Sequence, residues 1–365
     1  MTAIYADRET FYAPVYQVKA GATSPDHAIG DIVDVSYTDN IRELDQFTLT
    51  INNWDASRQN FKYEPPCETR FEKLFEPMNR VSVEMGYGLN LRPMIRGTIT
   101  TIEPRYPESG GPTLSIRGLN VMQAFRRRQR SNEWHSARDS EVAIDIARNL
   151  GVPIRIDGAA LAKEYRDEIR MQSQYEVDFL RQRAKMRGYV FLVEVTPDGT
   201  EQLYFGPSHA PARVAYDLEW GKSLVSFQPR LGVTFQAKAV TVRGVDRLTG
   251  KAIESTAQVG RDCGLNSDLA MELEGEEIIT TPPARSLEEA RQRACEELTE
   301  LRRQLVLAEG TTIGLPELRA GSFVNVTLAK GSRFNGRYFI TGTTHSIGSG
   351  GYTTKFSARR EELPQ

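Results

Sequence analysis

Polar and apolar positions alternate along much of this chain, and the alternating stretches are short. Val33-Asp34-Val35-Ser36-Tyr37 is one and Phe47-Thr48-Leu49-Thr50-Ile51 another. Val81 to Met85, Gly97 to Ile102 and Thr113 to Arg117 follow the same rule, as do Ser322 to Leu328, Arg337 to Thr341 and Tyr352 to Ala358. Period-two alternation between Gly-rich turns predicts antiparallel strands with one buried face. Three-and-four spacing occurs in fewer places. Val142, Ile146 and Leu150 share a helical face, and Gly151 is placed to end that helix. Ser173-Gln174-Tyr175-Glu176 has the spacing of a capping box ahead of Phe179, Leu180 and Ala184. Ser286-Leu287-Glu288-Glu289 opens the strongest pattern, an amphipathic helix over 286–305 with Leu287, Ala290, Ala294, Leu298, Leu301 and Leu305 on one side. Tyr189–Val195 and Gln202–Phe205 flank Pro197-Asp198-Gly199 and predict a hairpin. Asp262 to Glu277 is polar and reads as a loop.

The expected class is therefore mainly β with an α+β insert. We place a first tube-like antiparallel β-barrel domain at 1–118, a small α+β domain at 119–211 and a second tube-like β-barrel domain at 212–365. A chain of 365 residues suits two or three such units. Leu74 to Gly118 and Gly321 to Arg360 share a grammar at an offset of about 240 residues. Arg96-Gly97-Thr98-Ile99 begins a strand in the first as Asn335-Gly336-Arg337-Tyr338 does in the second. One reading is that any two antiparallel units with Gly turns look alike. The other is one fold used twice, so that three chains would present six similar surfaces.

Charge and composition narrow the function. The net charge is −2, which gives no global attraction to nucleic acid. No apolar run approaches the length of a membrane span, and Met1 to Glu9 lacks the basic-then-apolar pattern of a secretory signal. Cys67, Cys263 and Cys295 are few, odd in number and far apart, which argues against a disulfide framework and for synthesis in a reducing compartment.

Candidate chemistry is sparse. His27, His135, His209 and His345 form no pair at ligand spacing, and His345 reads as structural. No G-x-S-x-G elbow occurs. Gly348-Ser349-Gly350-Gly351 is followed by a strand rather than a helix start, so a hairpin tip is expected in place of a phosphate cradle. Glu276-Glu277 and Glu296-Glu297 are adjacent pairs on polar faces, not carboxylates across a cleft, and read as solvated surface. Phe125-Arg126-Arg127-Arg128-Gln129-Arg130 is the one basic run. It reads as an exposed linker, with contact to nucleic acid or an acidic partner as the alternative. No catalytic, cofactor or metal residue is assigned.

Several ordered segments carry a resemblance. They are Leu44-Asp45-Gln46-Phe47 running into Asn53-Trp54-Asp55, Phe75-Glu76-Pro77 running into Val81-Ser82-Val83, and Tyr175 to Leu180 with Gly188-Tyr189. Trp220-Gly221-Lys222-Ser223-Leu224, Val240 to Asp246 and Gly336 to Phe356 complete the set. Together they resemble the phage late-control D family, baseplate hub proteins of contractile tails and contractile injection systems, similar to the N-terminal hub part of type VI secretion spike proteins. The resemblance implies a non-enzymatic structural hub without a cofactor. It implies a homotrimer whose pseudo-sixfold ring adapts a hexameric tail tube to a trimeric spike, beside other baseplate proteins. The chain ends at Gln365 without a β-helical repeat, so the spike is expected to be a separate chain. Assembly in the bacterial cytoplasm and residence in a phage tail or injection particle follow from the same resemblance. The alternatives are a tail-associated cell-wall hydrolase, or a peptide- or glycan-binding module.

Overall fold

The computed structural model describes residues 13–20, 30–63, 74–126, 128–196, 199–208, 214–232, 237–246, 249–263 and 275–361. The expectations for Met1–Glu9, His27, Cys67, Arg127, the Pro197-Asp198 pair, His209 and residues 264–274 of the polar stretch lie outside the described residues. The described chain is mainly β, as the alternation predicts.

The N-terminal part supplies β1 (Pro14–Ala20), β2 (Ile32–Asn40), β3 (Gln46–Asn52), a short hairpin of β4 (Trp54–Asp55) and β5 (Asn60–Phe61), then β6 (Arg80–Tyr87), β7 (Asn90–Arg105) and β8 (Thr113–Leu119). Alternate residues go inward. Val35, Tyr37, Phe47, Leu49, Ile51, Val83, Met85 and Ile116 are buried in one core, while Ser36, Thr38 and Thr50 between them are not. Burying each such large apolar side chain stabilises by roughly 1.5–3 kcal/mol. Gly88, with φ +55°, makes the turn between β6 and β7 in a conformation that an L side chain resists.

A second core belongs to the middle segment. After a 3-10 turn at Val121–Arg126 come β9 (Arg130–Ala137), α1 (Asp139–Asn149), β10 (Ile154–Ile156), α2 (Gly158–Lys163), β11 (Asp167–Gln174), α3 (Glu176–Met186), β12 (Tyr189–Val195) and β13 (Glu201–Pro207). Val142, Ile146, Val177, Leu180, Phe191, Leu203 and Phe205 meet there. Gly151, at φ +68°, follows α1 as expected. The capping box at Ser173 does not form. Ser173 belongs to β11, and Tyr175 caps α3 without a side-chain bond. Glu176 is instead buried, 3.6 Å from Arg130. Asp139 opens α1 fully buried; it accepts from Arg187 Nε at 2.5 Å and from Arg183. Paired this way, it avoids the cost of an isolated buried charge.

The last part supplies β14 (Val214–Glu219), β15 (Leu224–Leu231), β16 (Ala239–Val245), β17 (Ala252–Gln258), β18 (Glu276–Ala284), α4 (Leu287–Arg303), β19 (Val306–Ile313), β20 (Phe323–Thr327), β21 (Gly336–Gly348) and β22 (Gly351–Arg360). Ser286 caps α4, its Oγ accepting from Glu289 N at 3.1 Å. The Glu289 carboxylate returns to Arg285 N rather than to the cap residue, so the box is displaced by one position. The small face Ala290, Ala294 and Leu298 lies on Val240 and Val242 of the sheet β17-β16-β18. Two expectations are corrected here. Cys263 and Cys295 form a disulfide that ties the segment after β17 to α4, although they lie 32 residues apart in sequence. And the predicted loop ends in a strand, because Glu276 pairs beside Ala239 at the start of β18.

Twelve strands form one sheet, and its order repeats. The first half runs β1-β6-β7-β8-β3-β2. The second runs β14-β20-β21-β22-β19-β15. In sequence order within each half, both read first-fourth-fifth-sixth-third-second. Equivalent bulges fall at equivalent places, between Ile99 and Thr101 on β7 and between Ile340 and Gly342 on β21. So do the bulges near Val33 on β2 and Val225 on β15. The halves differ at their first strands: β1 pairs β6 antiparallel, whereas β14 pairs β20 in parallel. They run together through the pair β2–β21, so the two barrels expected from the sequence appear as one continuous sheet of two repeated halves.

Candidate assembly interface

The β2–β21 seam shows what holds one half to the other. Its register runs from Val35 opposite Ile347 to Asn40 opposite Gly342. On one face Thr38 Oγ1 and Thr344 Oγ1 lie 3.2 Å apart. On the other face Tyr37, Asp39, Thr343 and His345 are buried. Arg319, from the loop before β20, reaches across into the first half. Its Nε donates to Asp39 Oδ2 at 2.8 Å, and its Nη2 donates to Met94 O at 2.8 Å and to the Tyr37 hydroxyl. The guanidinium also lies 4.4 Å from the centre of the Tyr37 ring. Burial opposes the Arg319 charge, but Tyr37 and Asp39 outweigh it and hold its pKa above the ordinary value. Burial pushes Tyr37 well up and also raises Asp45, to which the charge of Asp39 adds. Asn120 Nδ2 donates to Asp45 Oδ2 at 2.8 Å.

His345 completes this inner face. Its Nε2 lies 2.9 Å from the Leu318 carbonyl, which can only accept, so the proton sits on Nε2. Nδ1 then accepts from the hydroxyls of Tyr352 at 3.0 Å and Thr354 at 3.1 Å. Burial holds the ring neutral and draws its pKa down to about 4. The structural role read from the sequence fits this environment.

Beside the outer edges of β1 and β14, two further strand edges lack a partner among the described residues. β21 pairs β20 through Gly336–Phe339 and β2 through Gly342–Ile347, both on the same side. β7 pairs β6 only as far as Thr98, and beyond it, among the described residues, has β8 alone. β15 has β19 alone among the named strands. Among the described residues, the ladder groups of β15 beyond Leu224 and of β7 beyond Ile99 therefore stand at open edges, where a further strand can pair. Tyr106 is 58% exposed and Val225 65% exposed at these edges. Between β15 and the seam lies a cavity of about 420 Å³, lined by Thr38, Ser226, Gln228, Glu309, Thr344 and Lys355 among others. Its wall is mostly polar.

The remaining residues singled out from sequence are scattered. His135 is exposed and lies 2.6 Å from Glu168. Gly348 and Gly351 flank a hairpin tip, as expected. Glu276, Glu277 and Glu297 are exposed. Glu296 is not solvated surface: burial raises its carboxyl to about 8, against the opposing pull of the Arg187 charge. In the basic run, Phe125 is buried, Arg126 pairs with Asp178 at 2.8 Å and Arg130 with Glu176. Those two arginines fasten the connection to α3. Among the described residues no three His, Cys, Asp or Glu side chains group as metal ligands, and no helix is long and apolar enough to cross a membrane. The seam residues Tyr37, Asp39 and Arg319 were not singled out from sequence; a charged residue within the alternating run Val35–Asp39 was the available signal.

Residues 15–349 match the family model described as the Alg8 N-terminal domain. The chain belongs to that family. The matched model is not the late-control D family that the sequence resembles. No curated protein matches this Alg8 N-terminal domain chain. Solved structures do. A 43 kDa tail protein of prophage MuSo2 from Shewanella oneidensis is similar with a TM-score of 0.71 at 16% identity, covering 95% of this chain and 98% of that one. A tail protein from Neisseria meningitidis MC58 gives a TM-score of 0.70 at 12% identity, covering 97% and 98%. An E. coli component of the type VI secretion system, described as structurally similar to the T4 bacteriophage tail proteins gp27 and gp5, gives 0.60 at 11%, covering 95% and 78%. At these identities the likeness establishes a fold shared with these proteins.

Proposed function

We propose that this chain is a structural baseplate hub of a contractile phage tail or contractile injection system. Three copies form a ring in which the two sheet halves of each chain curve into tube-like barrel walls and occupy six near-equivalent positions. One side of the ring receives a hexameric tail tube and the other a trimeric spike. The segments 1–118 and 212–365 supply the ring, and 119–211 stands outside it as an α+β domain. The late-control D resemblance belongs to this reading. Assembly takes place in the bacterial cytoplasm, and the finished ring resides in the particle.

The observation that carries the reading is the repeated strand order with matching bulges. A chain with two equivalent halves converts threefold symmetry into pseudo-sixfold symmetry, because each half offers the same kind of surface. The shared fold with two phage tail proteins and a type VI secretion component supports the same setting. The Tyr37–Asp39–Arg319–His345 cluster then serves to lock the halves at a fixed angle. Arg319 satisfies Asp39 and Tyr37, and His345 is satisfied by Leu318, Tyr352 and Thr354.

Sedimentation of the full chain at micromolar concentration tests this. The expected mass is three times that of the chain, with a ring in negative-stain images. A protein that stays monomeric at tens of micromolar overturns the reading.

A further inference from the structure

The seam inside the chain is a template for a second seam between chains. One line of cross-strand pairs fixes the equivalence. In the first half it runs Val35, Leu49, Ile116, Ile102 across β2, β3, β8 and β7. In the second it runs Phe227, Gly310, Phe356, Thr343 across β15, β19, β22 and β21. β15 is thus the counterpart of β2, and β7 of β21. Within the chain β2 pairs β21. Both other members of the set, β15 and β7 beyond Ile99, have open edges among the described residues.

We infer that β15 of one copy pairs antiparallel with the C-terminal half of β7 of a second copy of this chain, in the register of the β2–β21 seam. The inference rests on the hub reading and specifies its interface. Transposing the register sets Phe227 opposite Tyr106, Gln228 opposite Arg105, Pro229 opposite Pro104, Arg230 opposite Glu103, Leu231 opposite Ile102 and Gly232 opposite Thr101.

The side chains suit that register. Alternate positions face the same side of a strand. On one side Phe227, Pro229 and Leu231 therefore meet Tyr106, Pro104 and Ile102, and all six are apolar or aromatic. Phe227, Leu231 and Ile102 are only partly buried in the single chain, and Tyr106 is exposed. On the other side the exposed Arg230 meets Glu103, replacing the hydroxyl pair Thr38–Thr344 of the internal seam. Glu103 already lies 3.5 Å from Arg117, so Arg230 approaches a carboxylate flanked by a second cation. A register shift of one residue would turn the apolar row outward and set Arg230 against Pro104 or Ile102.

The facing prolines have a consequence of their own. A proline lies in a sheet where its missing N–H looks away from the neighbouring strand, at an edge. Pro104 and Pro229 each keep a ladder partner, Leu114 and Ala308, and so leave the open side without a donor. The seam between chains then lacks a rung that Tyr37 and His345 provide within the chain. It is the weaker of the two, and a lone chain is protected from indiscriminate edge pairing.

The test uses the full chain carrying Glu103→Cys and Arg230→Cys together, oxidised and run on a denaturing gel without reductant. Trimer-sized covalent species are expected from the double variant and not from either single variant. A second arm reverses charge. Arg230→Glu or Glu103→Arg alone is expected to weaken association at least tenfold by sedimentation, and the two together to restore it. A trimer that neither cross-links nor shows charge rescue overturns this seam while the hub reading stands. A protein that remains monomeric overturns both.

Discussion

Arg319 Nε donates to Asp39 Oδ2 across 2.8 Å, and this bond joins the second half of the sheet to the first. Asp39 is 5% exposed, and it also accepts from the Thr343 amide at 3.1 Å. Removing one partner of such a pair leaves the other as an uncompensated buried charge, at a cost of about 3–5 kcal/mol. Arg319→Ala is therefore expected to lower stability by about that amount in urea melts. Arg319→Lys should recover only part of the loss, because a single ammonium cannot reach Asp39, Tyr37 and the Met94 carbonyl together. Equal stability of wild type and Arg319→Ala would refute the locking role.

The same cluster makes stability depend on pH through His345. Facing the ring are Asp39 and Arg319, with the hydroxyls of Tyr352 and Thr354 on Nδ1 and the Leu318 carbonyl on Nε2. The folded pKa is about 4, below the unfolded value near 6.5. The unfolded chain thus takes up the proton first as pH falls. This contribution is fully present above pH about 6.5 and is lost between there and about 4, amounting to roughly 3 kcal/mol. His345→Gln, which does not titrate, should show a flatter profile than wild type across that window in denaturant melts at fixed ionic strength. Identical profiles would contradict the assignment.

The legible and illegible parts of this fold differ for physical reasons. Alternation exposed β2, β3, β6 and most of the last hairpin, because one face of each is buried and the other is wet. β19 was not read, since Val306–Ile313 includes Glu309 and Gly310, which interrupt the apolar signal. β1 and β14 were passed over for want of strong alternation; Pro14 opens one and Asp217 sits inside the other. The repeat was visible in its last three strands, where sequence and spatial neighbours coincide. Its remaining strands are drawn in across the sheet from distant positions, and pairing at that range leaves no local trace. For the same reason nothing in the spacing of Cys263 and Cys295 announced their bond. Arg319 carried no signal of its own in the sequence, because what defines it lies on β2 and β7.

The disulfide makes a separable prediction. Closing a loop of 32 residues in the unfolded chain is worth roughly 3–4 kcal/mol on the chain-entropy account. The bond fastens α4 to the β17-β16-β18 sheet, whose core with Ala290, Ala294 and Leu298 is distinct from that of the large sheet. Reduction, or Cys295→Ser, is expected to increase amide exchange in α4 and β16 while leaving β2 and β21 protected. Exchange that rises uniformly over the chain would instead mean that this unit unfolds together with the sheet.

The repeat also predicts how the two cores exchange volume. Leu49 faces Ile116 across β3 and β8, and the equivalent pair across β19 and β22 is Gly310 with Phe356. One half fills the space with two medium side chains, the other with one large and one absent. A Cβ on Gly310 would lie 2.3 Å from Phe356 Cζ, so no side chain fits there while the ring stays. Gly310→Leu is expected to destabilise by about 1–3 kcal/mol through overpacking. Phe356→Ile should cost a similar amount, roughly 1–3 kcal/mol, through the cavity it leaves. Together they write the first half's pair into the second, and the double variant should be more stable than the sum of the single losses by at least about 1 kcal/mol. Because the two side chains are in contact, a double-mutant cycle by urea denaturation measures this coupling directly. Simple additivity would mean that the two halves share strand order but not the interior shape that a ring of near-equivalent positions needs.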